Sequence, residues 1–180
     1  MRKNMKYNLA GFGAVILLTL LDQWSKALAV LHLKGQEPLV LWEGVFELNY
    51  LENRGAAFGI FQGQKAAFLV CTVLILGLVA FYYFRLPEGR RFFPIRFVGI
   101  LLASGAVGNM IDRIENSYVV DFFYFKLIDF PVFNVADCYV TVGAALLAVL
   151  ILFYYKEDEL EFFTMRRKGK AAEDGKKEEL

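Results

Sequence analysis

The chain has 180 residues, 57% of them hydrophobic and 16% aromatic, with a mean hydropathy of +0.43. A soluble domain is only roughly 45–50% apolar, so the composition excludes an ordinary soluble fold and points to an integral membrane protein. The formal net charge of +1 offers no footing for a nucleic-acid partner, and in a membrane protein the placement of charges matters more than their sum.

Four stretches reach the roughly 20 apolar residues that cross a bilayer, at about 9–31, 66–84, 97–114 and 133–155. The expected fold is an all-α membrane protein of four transmembrane helices, carried in one domain over residues 1–156. The first stretch also resembles a cleavable signal peptide, since Arg2, Lys3 and Lys6 precede it and Ala27-Leu28-Ala29 could be a cleavage site. Asp22 and Lys26 interrupt that pattern and three further spans follow, so the segment reads as a retained helix. Asp22 and Lys26 stand at i and i+4 with opposite charge, which also fits a plain ion pair near a helix end.

The connection over residues 33–65 is more than a linker. Phe46 to Leu51 alternates as a short strand does, and Arg54-Gly55-Ala56-Ala57-Phe58-Gly59 supplies small residues that allow close backbone approach. After the second span, Arg85, Arg90, Arg91 and Arg96 form a basic connection. These four, the basic amino end, and Lys156, Arg166, Arg167, Lys168, Lys170, Lys176 and Lys177 account for most of the 20 Lys and Arg residues, and four spans put them all on one side. By the positive-inside rule both termini are cytoplasmic, while residues 33–65 and 115–132 face outward. The tail 157–180 is rich in Lys and Glu and poor in apolar residues, a disordered composition.

Asn109, Asp112 and Arg113 of the third span stand at i, i+3 and i+4 and share a helix face. Asp112 with Arg113 reads as a structural ion pair at the helix end. Residues 118–125 are aromatic and β-branched, suited to a strand or an interfacial segment, so a small outer sheet is expected. Asp121 lies within this run, where Val119, Val120, Phe122 and Phe123 provide no charge partner. In the fourth span Asn134 follows Pro131 and could be a helix cap, and Asp137 could serve the first-turn dipole. A carboxylate at the centre of a span costs roughly 2.5–3.5 kcal/mol, so acids here read as functional first, and Asp121 with Asp137 are the candidate catalytic pair. Gly99, Ala103, Ala106, Gly143, Ala144 and Ala148 would let the third and fourth helices pack closely.

Other chemistries find no support. His32 stands alone, and Cys71 and Cys138 lie far apart in apolar runs, so neither a metal site nor a disulfide framework is expected. Ser104 lacks both the flanking glycine motif of an intramembrane serine protease and a lysine within reach, and no phosphate-binding glycine loop occurs. No cofactor is expected. A small transporter relaying protons through Asp22, Asp112, Asp121 and Asp137 is the rival from another class, but the chain has no internal repeat or broken helix. A purely structural subunit would leave the polar clusters unexplained.

Five blocks then occur in order: Asp22-Gln23-Trp24-Ser25-Lys26, Glu52-Asn53-Arg54-Gly55-Ala56-Ala57-Phe58-Gly59, Gly108-Asn109-Met110-Ile111-Asp112-Arg113, Val119-Val120-Asp121-Phe122 and Phe133-Asn134-Val135-Ala136-Asp137. Together, over residues of roughly 20 to 140, they closely resemble the bacterial lipoprotein signal peptidase family, signal peptidase II. Arg54 departs from the smaller polar residue frequent there. The resemblance implies a monomeric, multi-pass aspartyl endopeptidase of the bacterial cytoplasmic membrane, working near the outer face without metal. It would remove signal peptides from prolipoproteins just before the diacylglyceryl-modified cysteine, in contact with membrane lipids, and be a target of globomycin-type inhibitors. Asp121 and Asp137 match the catalytic dyad. Asp22, Asn53, Asn109, Arg113 and Asn134 match positions that support the dyad or hold substrate, and Gly108 matches a point of close packing.

Overall fold

The computed structural model describes residues 2–55, 65–157, 159 and 160. Residues 56–59 of the glycine-containing block and the tail beyond 160 lie outside these. The four expected helices are present: α1 (Arg2–Leu33), α2 (Lys65–Arg85), α3 (Phe93–Glu115) and α4 (Val135–Val149), the last continued by a π-helical turn at Leu150–Tyr154. All four are long and apolar enough to cross a membrane. The 21 residues of α2 rise about 31 Å, matching a hydrocarbon core of about 30 Å.

The helix ends depart from the hydropathy limits for local reasons. Helix α1 runs back to Arg2 because backbone hydrogen bonding continues through polar helix formers where hydropathy stops. Helix α3 begins with Pro94 in its first turn, where the missing N–H loses no bond. Helix α4 starts only after Asn134, which caps it.

Three strands form one antiparallel sheet in the order β1 (Leu39–Trp42), β2 (Phe46–Asn53) and β3 (Val119–Tyr124). Strands β2 and β3 realise the two expected segments. Strand β1 was not expected, since Leu39-Val40-Leu41-Trp42 does not alternate and all four residues are exposed. It joins β2 through a turn at Gly44, whose φ of 70° suits glycine.

Helix α3 is the central element, packed against α1, α2 and α4. A Cβ at Gly105 would run into the Ala136 carbonyl and Val140, and one at Gly143 would press on Leu101 and Leu102, so glycines set the α3–α4 approach. The expected small-residue face needs correction here: Gly99 meets Tyr83 of α2, and Ala103 lines a cavity between α1 and α2. The cause is the 100° step of the helix, which carries Gly99 and Ala103 round to a different neighbour from Gly105.

The sheet sits where α1 and α3 end and α2 and α4 begin. Val120 and Phe122 are buried with Ala29 and Leu33 of α1, and Lys65 Nζ reaches the Ile114 carbonyl and Ser117 Oγ at 3.1 Å each. Arg85, Arg90, Arg91 and Arg96 occupy the opposite end, around a second apolar cluster of Leu86, Ile95, Val98, Leu150 and Tyr155. The bundle is therefore polarised, with the sheet at one end and the arginines at the other.

Candidate active site

Alternation along β3 creates the site. Side chains of successive strand residues point to opposite faces, so Val120 and Phe122 pack on α1 while Val119 and Asp121 face a cleft between the sheet and the helices. The cleft has a volume of about 630 Å³ and is lined by Asn53, Asn109, Arg113, Asp121 and Asp137 among its polar residues. Its apolar wall includes Phe130, Pro131, Val132 and Phe133, and it runs along α4 to Val142 and across to Thr72 of α2.

Asp121 is 1% exposed and both of its carboxylate oxygens are engaged. Asn134 Nδ2 donates to one at 2.6 Å and Asn53 Nδ2 to the other at 2.8 Å. Asn53 closes β2, and its own Oδ1 accepts the Gly55 N–H at 3.0 Å, which fixes the amide with its amino group toward Asp121. Burial, and after it the nearby charge of Asp137, pushes the Asp121 carboxyl from 3.8 up to about 7, against the pull of the Asn53 and Asn134 donors.

Asp137 occupies the first turn of α4. Its backbone N–H donates to Asn134 Oδ1 at 3.0 Å while its Oδ2 accepts the Asn134 N–H at 3.1 Å, a reciprocal capping box. Its other oxygen accepts Asn109 Nδ2 at 2.7 Å. The N3 carboxylate of the capping box and the candidate catalytic acid are thus the same residue. Asn134 Nδ2 also donates to Asn109 Oδ1 at 3.1 Å, so the two asparagines join the two aspartates into one network.

Asp22 is fully buried behind this network and does not line the cleft. It accepts the Ala136 N–H at 2.9 Å and pairs with Lys26 at 2.9 Å, tying α1 to the first turn of α4. Gly108 is required at the same crossing, because a Cβ there would meet the Asp22 carboxylate and the Ala136 methyl. Arg113 donates to the Asn109 carbonyl at 3.1 Å and lies 4.6 Å over the Phe68 ring, with its guanidinium at the cleft wall. Arg54 is exposed and pairs with Glu52 at 3.4 Å, away from the dyad.

The Asp112–Arg113 ion pair expected from sequence is replaced by another. Asp112 pairs with Lys26 at 3.1 Å, accepts the Val120 N–H at 3.0 Å and accepts Gln23 Nε2 at 2.9 Å. Adjacent helix residues diverge by about 100°, so Asp112 turns inward to α1 while Arg113 turns to the cleft. Asp112 thereby holds β3 one residue from Asp121. The Val120 N–H and Lys26 Nζ share Asp112 Oδ2, so Asp112→Asn should keep both contacts on its remaining oxygen but lose the charge that balances Lys26 and set its N–H groups against Gln23 Nε2, costing about 1–3 kcal/mol of stability with much less effect on turnover of the folded protein. Thermal unfolding and cleavage rate, measured on one preparation, check this; a fully stable variant with turnover lost would reverse the assignment.

Lys26 and Gln23 were missing from the residues singled out for the site, although a lysine within an apolar span four residues after Asp22 was the available signal. Gln23 Nε2 donates to the Gly108 carbonyl at 3.1 Å as well as to Asp112.

Residues 14–153 match the family model described as signal peptidase (SPase) II. The lipoprotein signal peptidase of Streptococcus thermophilus (strain CNRZ 1066) is 43% identical over 145 residues, covering 81% of this chain and 92% of that one. That of Halothermothrix orenii is 39% identical over 146 residues, covering 81% and 95%. Two solved structures of a bacterial membrane enzyme, obtained by the in meso method at 2.3 and 1.9 Å resolution, superpose with TM-scores of 0.71 and 0.70. Their identities are 26% and 28%, and the superpositions cover 82% and 81% of this chain and 92% and 94% of theirs.

Proposed function

Because the chain belongs to the signal peptidase II family, we propose that it removes signal peptides from lipid-modified prolipoproteins by an aspartyl mechanism, with Asp121 and Asp137 as the dyad. The observation that carries this reading is that both carboxylates line one cleft and are held by one pair of asparagines, Asn109 and Asn134. Two acids so placed share a proton, since burial and mutual repulsion oppose a second charge. The ionised member takes a proton from a water that attacks the scissile carbonyl. The protonated member polarises that carbonyl and later protonates the leaving amine. Asp22, Asn53, Gly108, Asn109 and Asn134 hold the dyad, Asp112 holds β3, and Arg113 presents a cation to substrate at the cleft wall. A single chain contains all of these groups, which favours a working monomer, and a globomycin-type inhibitor would occupy the same cleft.

The cleft meets the sheet at one end of the bundle and follows α4 downward, which suits a substrate whose acyl chains remain in the bilayer while its peptide bond meets water. Cleavage just before the diacylglyceryl-cysteine is what the family resemblance implies, and this placement accommodates it. Purified protein in proteoliposomes, given a diacylglyceryl-modified prolipoprotein, should release the signal peptide. Ion flux without cleavage would instead favour the transporter reading.

Orientation in a bacterial cytoplasmic membrane follows from the arginine-rich end, which the positive-inside rule assigns to the cytoplasm with both termini. Reporter fusions at Gly44 and Ser117 should report the outside and a fusion at Glu88 the inside. The reverse pattern would put the dyad on the wrong face.

A further inference from the structure

We propose that Lys26 is a positioning residue for the dyad, acting through Asn109 to decide which end of that amide meets Asp137. This rests on the dyad reading above. Lys26 is 3% exposed, and its ammonium meets three acceptors: Asp22 Oδ2 at 2.9 Å, Asp112 Oδ2 at 3.1 Å and Asn109 Oδ1 at 2.9 Å. An ammonium has three donors, so all are spoken for. Two carboxylates already balance the charge; the contact to a neutral amide is a matter of direction.

An asparagine side chain can be turned end for end with little change of shape. At Asn109 two donors, Lys26 Nζ and Asn134 Nδ2, converge on Oδ1, which obliges Nδ2 to face Asp137 Oδ1 at 2.7 Å. Turned over, the amide would set its N–H groups against an ammonium and its oxygen against a carboxylate, in a site where unpaired polar contacts are costly. Asn134 Nδ2 is in turn shared with Asp121 Oδ1 at 2.6 Å, so the direction set at Lys26 reaches both acids. Gln23 holds the cage from the side through Asp112 and the Gly108 carbonyl.

Among the described residues, the charged groups around the dyad are Asp22 and Lys26 from α1, Asp112 and Arg113 from α3, Asp137 from α4 and Asp121 from β3. Lys26 favours ionisation of Asp121, against burial.

The test compares K26M, K26M/D112N and wild type for cleavage of a diacylglyceryl-modified prolipoprotein over a range of pH, with thermal unfolding alongside. K26M leaves two buried carboxylates without their cation and should lower Tm; both limbs of its pH profile should move upward, since a lost cation disfavours ionisation. K26M/D112N removes a cation and an anion together, so Tm should recover and the pH displacement shrink. Its kcat should remain roughly tenfold or more below wild type, because a misdirected acid reacts poorly even when folded, with KM changed less than about twofold. Wild-type kcat in that variant would overturn the proposal and leave Lys26 a counterion. If either methionine variant is too unstable to assay, K26R decides: it keeps the cation but moves the donors, so reduced kcat at wild-type Tm supports positioning and undiminished kcat refutes it. Asp121→Asn separates the two readings, since activity in that variant would defeat the dyad itself.

Discussion

Asp121→Asn and Asp137→Asn should each lower turnover by at least about 10³-fold, because on the proposed mechanism each removes a group that must gain or lose a proton. Each carboxylate accepts donors on both oxygens, so asparagine in its place turns one favourable contact into a clash of N–H groups. A modest stability loss of about 1–3 kcal/mol is therefore expected beside the catalytic one. Since two groups that share a proton act as a unit, the double variant should be little slower than either single one. Substantial cleavage by a well-folded single variant would end the aspartyl mechanism.

The same substitution at Asp121 has a signature in stability. The native state holds the Asp121 proton more tightly than the unfolded chain, with the carboxyl raised from 3.8 to about 7. Linkage then makes this contribution to stability fully present below the unfolded value and progressively lost as pH rises through about 7. The Tm of wild type should fall across that window, and Asp121→Asn should flatten the fall. A parallel curve would mean that Asp121 titrates normally.

Much of this arrangement was legible in the chain because it is written in local patterns. Four apolar runs give four helices, alternation gives β2, an aromatic and β-branched run gives β3, and an asparagine three residues before an aspartate gives the cap of α4. What the sequence hid was direction. Asp112 and Arg113 are neighbours in the chain, and only the packing of α3 against α1 sends one to Lys26 and the other to the cleft. Likewise β1 has no alternation to reveal it, since both of its faces are exposed and its partner is set by the Gly44 turn. Asp22 was legible as half of an i, i+4 pair with Lys26, yet its bond to the Ala136 amide joins residues 114 positions apart, a contact no local pattern encodes.

Cleavage should also depend strongly on lipid modification of the substrate, with kcat/KM falling by at least about 10²-fold when the diacylglyceryl group is absent. The cleft motivates this: one end carries Asp121, Asp137 and Arg113, while its other end follows α4 to Val142, about 10 Å along the helix from Val135. A peptide without acyl chains is still drawn into the bilayer by its own apolar segment, so membrane attachment is not what the lipid adds. On the proposed reading, two acyl chains on the cysteine fix the depth of the scissile bond, holding it at the level of the dyad rather than letting it slide. That converts a search along the membrane normal into a positioned encounter, which raises effective concentration without any new polar contact. Lipidated and unlipidated forms of one prolipoprotein, compared in the same proteoliposomes at equal surface density, separate positioning from simple partitioning. Equal rates would show that the cleft recognises the peptide alone, and the lower limb along α4 would then have no part in catalysis.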